Sequence, residues 1–199
     1  MKGIKAIGFD MDYTLAQYKP ETFEALAYEK TVEKLIEKFG YPKEALQSLT
    51  FNWEYMAKGL IIDKHRGNTL KVDRHRYVKL AYHGFSPLPN DERKVKSSPS
   101  PSPSPSPSPS LSSPLQSIYN STDHSFDEPD FAMVDTLFSL AEGYLFMQLV
   151  DLKDKGQLGQ ISSKPYPELY RDLRNSVDMC HRDGSLKKAV AADPPKVRL

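Results

Sequence analysis

The sequence predicts an α/β fold, and three observations favour that class. A short apolar run begins near the first residue, a longer segment after it repeats its apolar residues at helical spacing, and a third segment has two apolar stretches around a glycine turn. The chain has 199 residues, which is enough for one domain of moderate size. Strand, helix and hairpin signals therefore occur together within one domain-sized chain.

The first predicted element is a short strand over residues 2–9, KGIKAIGF, which is apolar enough to be buried on both faces of a sheet. The second is a helix over 19–42, because apolar residues recur there at spacings of three and four. Gly40 and Pro42 are expected to end this helix. Glycine accepts the left-handed conformation at a helix end, and proline does not continue a helix.

A β-meander is predicted next. Residues 59–73 have two apolar stretches around Arg66, Gly67 and Asn68, which is typical of a hairpin. Residues 76–85 predict a third strand that continues the meander.

Two helices are predicted in the last third of the chain. Residues 130–156 form a long, strongly apolar segment, which we interpret as one helix. Residues 167–190 begin as another, since Pro167 suits the first turn of a helix and Gly184 suits its end.

A tract of alternating serine and proline, residues 96–114, separates the meander from these helices. Proline removes a backbone donor and restricts the residue before it, so the alternation forms neither helix nor sheet. We expect a disordered, partly extended insertion in a surface loop. Its Ser-Pro sites would suit phosphorylation, although so plain a repeat is more typical of a spacer.

Composition narrows the function classes. The formal net charge is +1 at pH 7, so the chain lacks the strong field that attracts a nucleic acid polymer. The single cysteine, Cys180, cannot form an internal disulfide, which is typical of an intracellular protein. No apolar run approaches the ~20 residues that span a bilayer, and the first residues do not resemble a secretory signal. We therefore expect a cytoplasmic protein with no membrane partner.

The strongest chemical signal is the pair Asp10 and Asp12, which follows the first apolar run. Side chains two apart on an extended segment point the same way, so both carboxylates would meet at the carboxyl end of the strand, where open α/β sheets bind ligands. Two close carboxylates repel unless a proton or a cation separates them, and Mg²⁺ prefers such oxygen ligands. Paired carboxylates can also act as nucleophile and as general acid/base. The alternative interpretation is that both residues only shape a turn.

A second signal is a polar stripe on the last predicted helix. Arg174, Asp178 and His181 lie at positions i, i+4 and i+7, so they share one helix face. A cation, an anion and an imidazole on one face could recognise a nucleotide. The alternative is a solvated face that holds an ordinary Arg–Asp pair.

The stretch FDMDYTLA (9–16) resembles the first signature of the haloacid dehalogenase (HAD) superfamily of aspartate-nucleophile phosphatases. Residues 9–32, 59–85, 135–146 and 171–188 look like the N-terminal part of the cytosolic purine 5′-nucleotidase family. The resemblance covers nearly the whole chain except the Ser-Pro tract and the last few residues. It implies an incomplete HAD-like Rossmannoid core, with only the first strand and helix, and an inserted mixed β-hairpin and helical cap.

The resemblance also implies a domain organisation. Residues 1–58 would be the start of the HAD-like core with its nucleophile strand, and 59–95 the β-meander of the cap. Residues 96–129 would be the Ser-Pro-rich disordered insertion, and 130–190 the helical, substrate-recognition part of the cap. Residues 191–199 would be the C-terminal tail of a chain that we expect to be truncated.

What the resemblance implies about function is Mg²⁺-dependent hydrolysis of purine nucleoside 5′-monophosphates of the IMP and GMP type, through an aspartyl-phosphate intermediate. Asp10 would be the nucleophile and Asp12 the general acid/base. The Asp10 carboxylate and the Asp12 backbone carbonyl would hold the metal. The implied substrate-binding residues are Phe138, which would stack on the base, and Arg174, Asp178, His181 and Lys187.

The family's later phosphate-binding Ser or Thr, its lysine and its distal acidic metal ligand have no counterpart that we find in this sequence. The partner strands of strand 2–9 would also come from the missing half, and an unpaired central strand leaves backbone groups unsatisfied and apolar surface exposed. For this reason we expect the polypeptide alone to be poorly stable or prone to aggregation. Two alternatives stay open: a non-catalytic truncated isoform or fragment that binds nucleotide or a partner, and a HAD phosphatase for another small phosphate ester. The expected partner is a purine nucleoside monophosphate, and a homo-oligomer is left open.

Overall fold

The computed structural model describes residues 3–11, 14–88, 119, 126, 129–137 and 139–194. Within these ranges five strands form one sheet, in which every neighbouring pair is antiparallel. Across the sheet, the strand that comes last in the chain pairs with the one that comes first. In chain order the strands are β1 (Leu60–Asp63), β2 (Asn68–Val72), β3 (Val78–His83), β4 (Ser86–Pro87) and β5 (Phe131–Val134), and their order in the sheet is β4-β3-β2-β1-β5.

The helices of the described ranges pack mainly against one another and against one face of the sheet. They are α1 (Pro20–Phe39), α2 (Lys43–Gln47), α3 (Ser139–Asp154), α4 (Tyr166–Arg182) and α5 (Ser185–Ala192), with a short 3-10 helix (Gly159–Ser163) between α3 and α4. Among these described helices, none is both long enough and apolar enough to cross a membrane.

Most of the predicted elements are confirmed. Helix α1 has Pro20 in its first turn and ends at Phe39, where Gly40 caps it at φ +70° and donates its backbone N–H to the carbonyl oxygen of Leu35. The hairpin of β1 and β2 and the third strand, β3, are formed where the sequence predicts them. The mixed α/β class is therefore confirmed, and the HAD-like core that the resemblance implies stays a prediction.

The strand predicted over residues 2–9 is wrong as far as the structure describes that segment. Residues 3–11 contain no strand, and apolar side chains predicted to be buried are exposed, by 66% for Ile7 and 73% for Phe9. A strand needs a neighbour to take its backbone hydrogen bonds. No strand of the described ranges pairs with this segment, so the apolar run alone does not produce the element.

The single helix predicted over 130–156 is also wrong in its first part. Its first residues form strand β5, in which Val134 pairs with Leu60 of β1, and helix α3 begins only at Ser139. Strand β5 depends on hydrogen bonds to a segment far away in sequence, which a local apolar pattern does not reveal.

The last predicted helix is confirmed as α4, and its end lies where Gly184 predicts it. It ends at Arg182, and Gly184, at φ +70°, precedes the separate helix α5. Because glycine adopts this left-handed conformation without a steric penalty, it separates two helices here.

Helix α3 is at the centre of the core. Every residue from 140 to 150 is buried, so the helix is covered by protein on all sides. Ile62 of β1, Val32 of α1 and Leu173 of α4 belong to the same hydrophobic cluster as α3. Burial on all sides explains why α3 is apolar around its whole circumference.

The other face of the sheet has a small apolar cluster of its own. Leu70 and Ala81 pack there with Tyr119 and Phe126, which belong to the predicted insertion 96–129. The Ser-Pro tract lies outside the described residues. The predicted domain boundaries stay predictions.

Candidate functional site

A cleft of about 320 Å³ lies between strand β5 and helices α3 and α4. It is formed by the end of β5, the loop into α3, the first turns of α3 and one face of α4. Most of its polar groups come from that loop and from α4. The lining residues are Ile62, Met133, Val134, Asp135, Thr136, Ser139, Glu142, Tyr170, Arg174, Val177 and His181.

The loop from β5 into α3 is held by Thr136 and Ser139. The Ser139 hydroxyl donates to the Thr136 carbonyl oxygen at 2.8 Å, and the Thr136 backbone N–H donates to Ser139 Oγ at 3.3 Å. Serine and threonine favour such local contacts at helix starts, because their hydroxyls bond to nearby backbone groups. The start of α3 is therefore fixed beside the cleft, with Glu142 about one turn farther along.

Glu142 forms the inner wall of the cleft. Its side chain is 6% exposed and accepts two hydrogen bonds from α4. The Tyr170 hydroxyl donates to Oε1 at 2.6 Å, and Arg174 Nη1 donates to Oε2 at 2.8 Å. Because Tyr170 and Arg174 are four positions apart, they lie on the same face of α4. A buried carboxylate thus joins α3 to α4 at the cleft.

The surroundings of Arg174 and Tyr170 raise the pKa of both side chains. Partial burial tends to lower the pKa of the Arg174 guanidinium, but the charge of Glu142 and the hydrogen bond to it raise that pKa overall. Burial first, and then the charge of Glu142 and the bond to it, raise the pKa of the Tyr170 hydroxyl. Arg174 therefore stays a cation and Tyr170 stays a hydrogen-bond donor at physiological pH.

The structure brings together three of the residues that the sequence predicts. Arg174 and His181 line the cleft, and Asp178 Oδ1 lies 3.2 Å from Arg174 Nη2. The Arg–Asp pair of the alternative interpretation is therefore present, but it lies beside a cleft. The Arg174 side chain is 53% exposed, so a ligand can reach it.

The structure does not bring Lys187 into this group. Lys187 is exposed on α5 and is not one of the described residues that line the cleft. Phe138 lies outside the described residues, next to Ser139, which does line the cleft. The substrate-binding roles of both residues stay predictions.

Asp10 lies in the exposed segment before α1 and is not one of the described lining residues. Its Oδ2 accepts a hydrogen bond from the Thr14 hydroxyl at 3.3 Å, and Asp12 lies outside the described residues. The exposed Asp10 carboxylate offers the hard oxygen donors that Mg²⁺ prefers, so its chemistry fits a metal ligand. The described ranges contain no group of three or more His, Cys, Asp or Glu side chains that could hold a metal ion.

Sequence reasoning missed Glu142 and Tyr170. A signal for Glu142 is present, because it is an acid within the apolar run 140–150. Acids are rarely buried without a partner, so an acid in such a run predicts a cation or a donor opposite it. Tyr170 has no comparable signal, since its position on a helix does not distinguish a core tyrosine from one at a cleft.

Comparison with known proteins gives matches over nearly the whole chain. The family model described as “5' nucleotidase family” matches residues 1–197. The “5'-nucleotidase domain-containing protein 2” of Rattus norvegicus is 36% identical over 204 residues, which are 98% of this chain and 32% of that protein. The Homo sapiens protein of the same name is 27% identical over 204 residues, 98% of this chain and 34% of that protein.

A shorter match concerns the “5'-nucleotidase domain-containing protein 1” of Homo sapiens. It is 36% identical over 78 residues, which are 39% of this chain and 17% of that protein. The two relatives that match 98% of this chain are longer proteins, and the chain spans about a third of their length.

Proposed function

The chain belongs to the 5′ nucleotidase family, and on this basis we propose that it carries the base-recognition cleft and the nucleophile of a phosphoric monoester hydrolase. The proposed substrates are purine nucleoside 5′-monophosphates of the IMP and GMP type. The products would be the nucleoside and inorganic phosphate.

One observation carries this proposal: the predicted nucleotide-reading stripe lies at a cleft. Arg174 and His181 line a space of about 320 Å³, and Asp178 pairs with Arg174. An arginine can donate two parallel hydrogen bonds to the O6 and N7 atoms of a 6-oxopurine. The resemblance adds Phe138 as a stacking partner for the base. These groups support recognition of a purine base rather than of a sugar phosphate alone.

The proposed chemistry belongs to Asp10 and Asp12. The Asp10 carboxylate attacks phosphorus, and the bond from phosphorus to the nucleoside 5′ oxygen breaks. Asp12 gives its proton to that leaving oxygen, and then takes a proton from the water that hydrolyses the aspartyl phosphate. Asp10 is thereby restored and phosphate is released. Mg²⁺, held by the Asp10 carboxylate and the Asp12 carbonyl, would neutralise charge on the phosphoryl oxygens.

A second candidate is a non-catalytic chain that binds the nucleotide. The position of Asp10 favours it, because Asp10 is exposed, lies outside any strand and is not among the described residues of the cleft. In that case the cleft still recognises the base, but no phosphate is released.

The test measures Mg²⁺-dependent phosphate release from IMP by the 199-residue chain, together with its Kd for IMP. We expect IMP to bind, and we expect any phosphate release to disappear in Asp10→Asn, because an amide does not attack phosphorus. Glu21→Gln, at an exposed acid in the first turn of α1, is the matched control and should change neither quantity.

The outcomes separate the candidates. Asp10-dependent release supports the enzyme, and IMP binding without release supports the non-catalytic chain. The proposal fails if IMP does not bind. It also fails if ribose 5-phosphate is bound more tightly, or hydrolysed faster, than IMP.

A further inference from the structure

We propose that Glu142 is a positioning residue, which holds the guanidinium of Arg174 in the orientation that reads the base. This inference rests on the proposed function, because it assigns the cleft to a nucleotide. It concerns a residue that the sequence stripe of Arg174, Asp178 and His181 does not include.

The burial of Glu142 shows that it is not part of a solvated face. It is 6% exposed and lies within a stretch, 140–150, in which every residue is buried. Transfer of a carboxylate from water into such surroundings is unfavourable unless charged or polar partners compensate. Glu142 has those partners on α4, and both of them line the cleft.

The geometry of the contacts restrains the arginine from two sides. Glu142 Oε2 lies 2.8 Å from Nη1 of Arg174, and Asp178 Oδ1 lies 3.2 Å from Nη2. The Tyr170 hydroxyl, at 2.6 Å from Oε1, fixes the other oxygen of Glu142. The carboxylate therefore cannot rotate freely, and the plane of the guanidinium is fixed with it.

A guanidinium must be correctly oriented to form hydrogen bonds with the edge of a base. Arginine presents about five N–H donors in a planar fork, so the two carboxylate contacts leave other donors for a ligand. A 6-oxopurine offers O6 and N7 as adjacent acceptors, which match that fork. A ribose phosphate without a base offers no such edge. Glu142 should therefore affect recognition of the base and leave recognition of the sugar phosphate unchanged.

The decisive variant is Glu142→Gln. Glutamine keeps a carbonyl oxygen that can accept from Tyr170, but it places an amide N–H₂ against the N–H groups of Arg174. We expect the Kd for IMP to rise about tenfold, because a guanidinium that Glu142 no longer holds must be ordered when the base binds. The Kd for ribose 5-phosphate should change by less than about twofold. If Glu142 only stabilised the fold, the substitution would raise the Kd of both ligands by the same factor.

A matched control lies on the same helix. Gln148 is also 6% exposed and also accepts a hydrogen bond from a tyrosine, Tyr28, but it is not one of the described lining residues of the cleft. Gln148→Met should reduce thermal stability about as much as Glu142→Gln does, while the Kd for IMP stays at the wild-type value. This control separates a loss of core polar contacts from a loss of arginine orientation.

A second variant keeps the inference testable if Glu142→Gln does not fold. Arg174→Lys changes a half-exposed side chain, keeps the charge and removes the planar fork. It should lose the preference for IMP over ribose 5-phosphate although Glu142 is intact.

A double variant tests whether the two residues act together. In an Arg174→Ala background, Glu142→Gln should cause no further loss of IMP affinity, because the two residues act as one unit.

The results distinguish two failures. If the wild-type chain does not bind IMP, the proposed function fails and the inference fails with it. If the wild type binds IMP and Glu142→Gln binds it equally well, only the inference is overturned. The same holds if Glu142→Gln raises the Kd for IMP and the Kd for ribose 5-phosphate by the same factor. Full selectivity in Arg174→Lys would overturn it too.

Discussion

The Nη1 atom of Arg174 lies 2.8 Å from the Oε2 atom of Glu142 and thereby joins two helices at the wall of the cleft. The two ends of this ion pair have different surroundings, since Glu142 is 6% exposed and Arg174 is 53% exposed. A buried acid thus holds a cation that a ligand can reach. A cation held in this way is suited to recognition, because little further ordering is needed when a ligand binds.

Replacement of Arg174 by alanine is expected to weaken IMP binding by about tenfold to a hundredfold, since hydrogen bonds from charged groups contribute about 1.5–3 kcal/mol. Calorimetric titration of both proteins measures the effect. Arg171→Ala is the control on the same helix, because Arg171 is 66% exposed and contacts Glu168 at 3.8 Å. Equal losses in the two variants would show that the general charge of α4, and not Arg174, attracts the nucleotide.

Replacement of Ile7 by alanine is expected to change the free energy of unfolding by less than about 0.5 kcal/mol, because the side chain is 66% exposed. Phe146→Ala is the comparison, since Phe146 is fully buried and its truncation should cost about 3–5 kcal/mol. Urea denaturation of the three proteins gives both values. A loss of about 2 kcal/mol or more in Ile7→Ala would instead indicate the buried strand that the apolar run predicts.

Replacement of Gly67 by alanine is expected to destabilise the chain more than replacement of Gly40. Both glycines have positive φ, at +72° and +70°, so alanine is strained by about 1 kcal/mol at either position. At Gly67 a Cβ would also lie 2.9 Å from Cδ1 of Tyr166, whereas at Gly40 nothing lies within 4 Å. We expect an additional loss of about 1–3 kcal/mol for Gly67→Ala in urea denaturation. Equal losses would mean that Tyr166 moves aside without cost.

Tyr166 gives the chain a contribution to stability that depends on pH. Burial, and then the hydrogen bond to Asp154 and its charge, raise the pKa of Tyr166 to about 12. Because the folded value lies above the unfolded value of about 10, this contribution is complete below about pH 10 and is lost as the pH rises toward 12. Tyr166→Phe should therefore be less stable than the wild type by about 1 kcal/mol near neutral pH. That difference should shrink above about pH 10, and a difference that is constant with pH would contradict the assignment.

The sequence predicts those elements whose causes are local. Helix α1 has helical periodicity and a glycine cap at Gly40, and the β1–β2 hairpin has a glycine at its turn, where Gly67 takes positive φ. The segment 3–11 is different, because its apolar residues form a strand only when another strand accepts its hydrogen bonds. The same reason explains β5, since Phe131–Val134 is a strand by virtue of its pairing with β1.

The candidate site is predictable from the sequence only in part. Helical spacing places Arg174, Asp178 and His181 on one face, and the structure puts that face at a cleft. The spacing does not reveal the partner of Arg174, because Glu142 comes from another helix. An acid within an apolar helix is the one local sign of that contact.

An NMR titration of the isotopically labelled chain with IMP, in which the backbone amide signals are followed, shows directly whether the cleft binds the nucleotide. We expect saturable shifts at the cleft, including those of the amides of Thr136, Glu142, Arg174 and His181. The groove lined by Tyr55, Leu80 and Met147 shares no lining residue with the cleft, so it is the internal reference and should not respond. Shifts confined to that groove, or no saturable shift at all, would contradict the claim that this cleft recognises a purine nucleoside 5′-monophosphate.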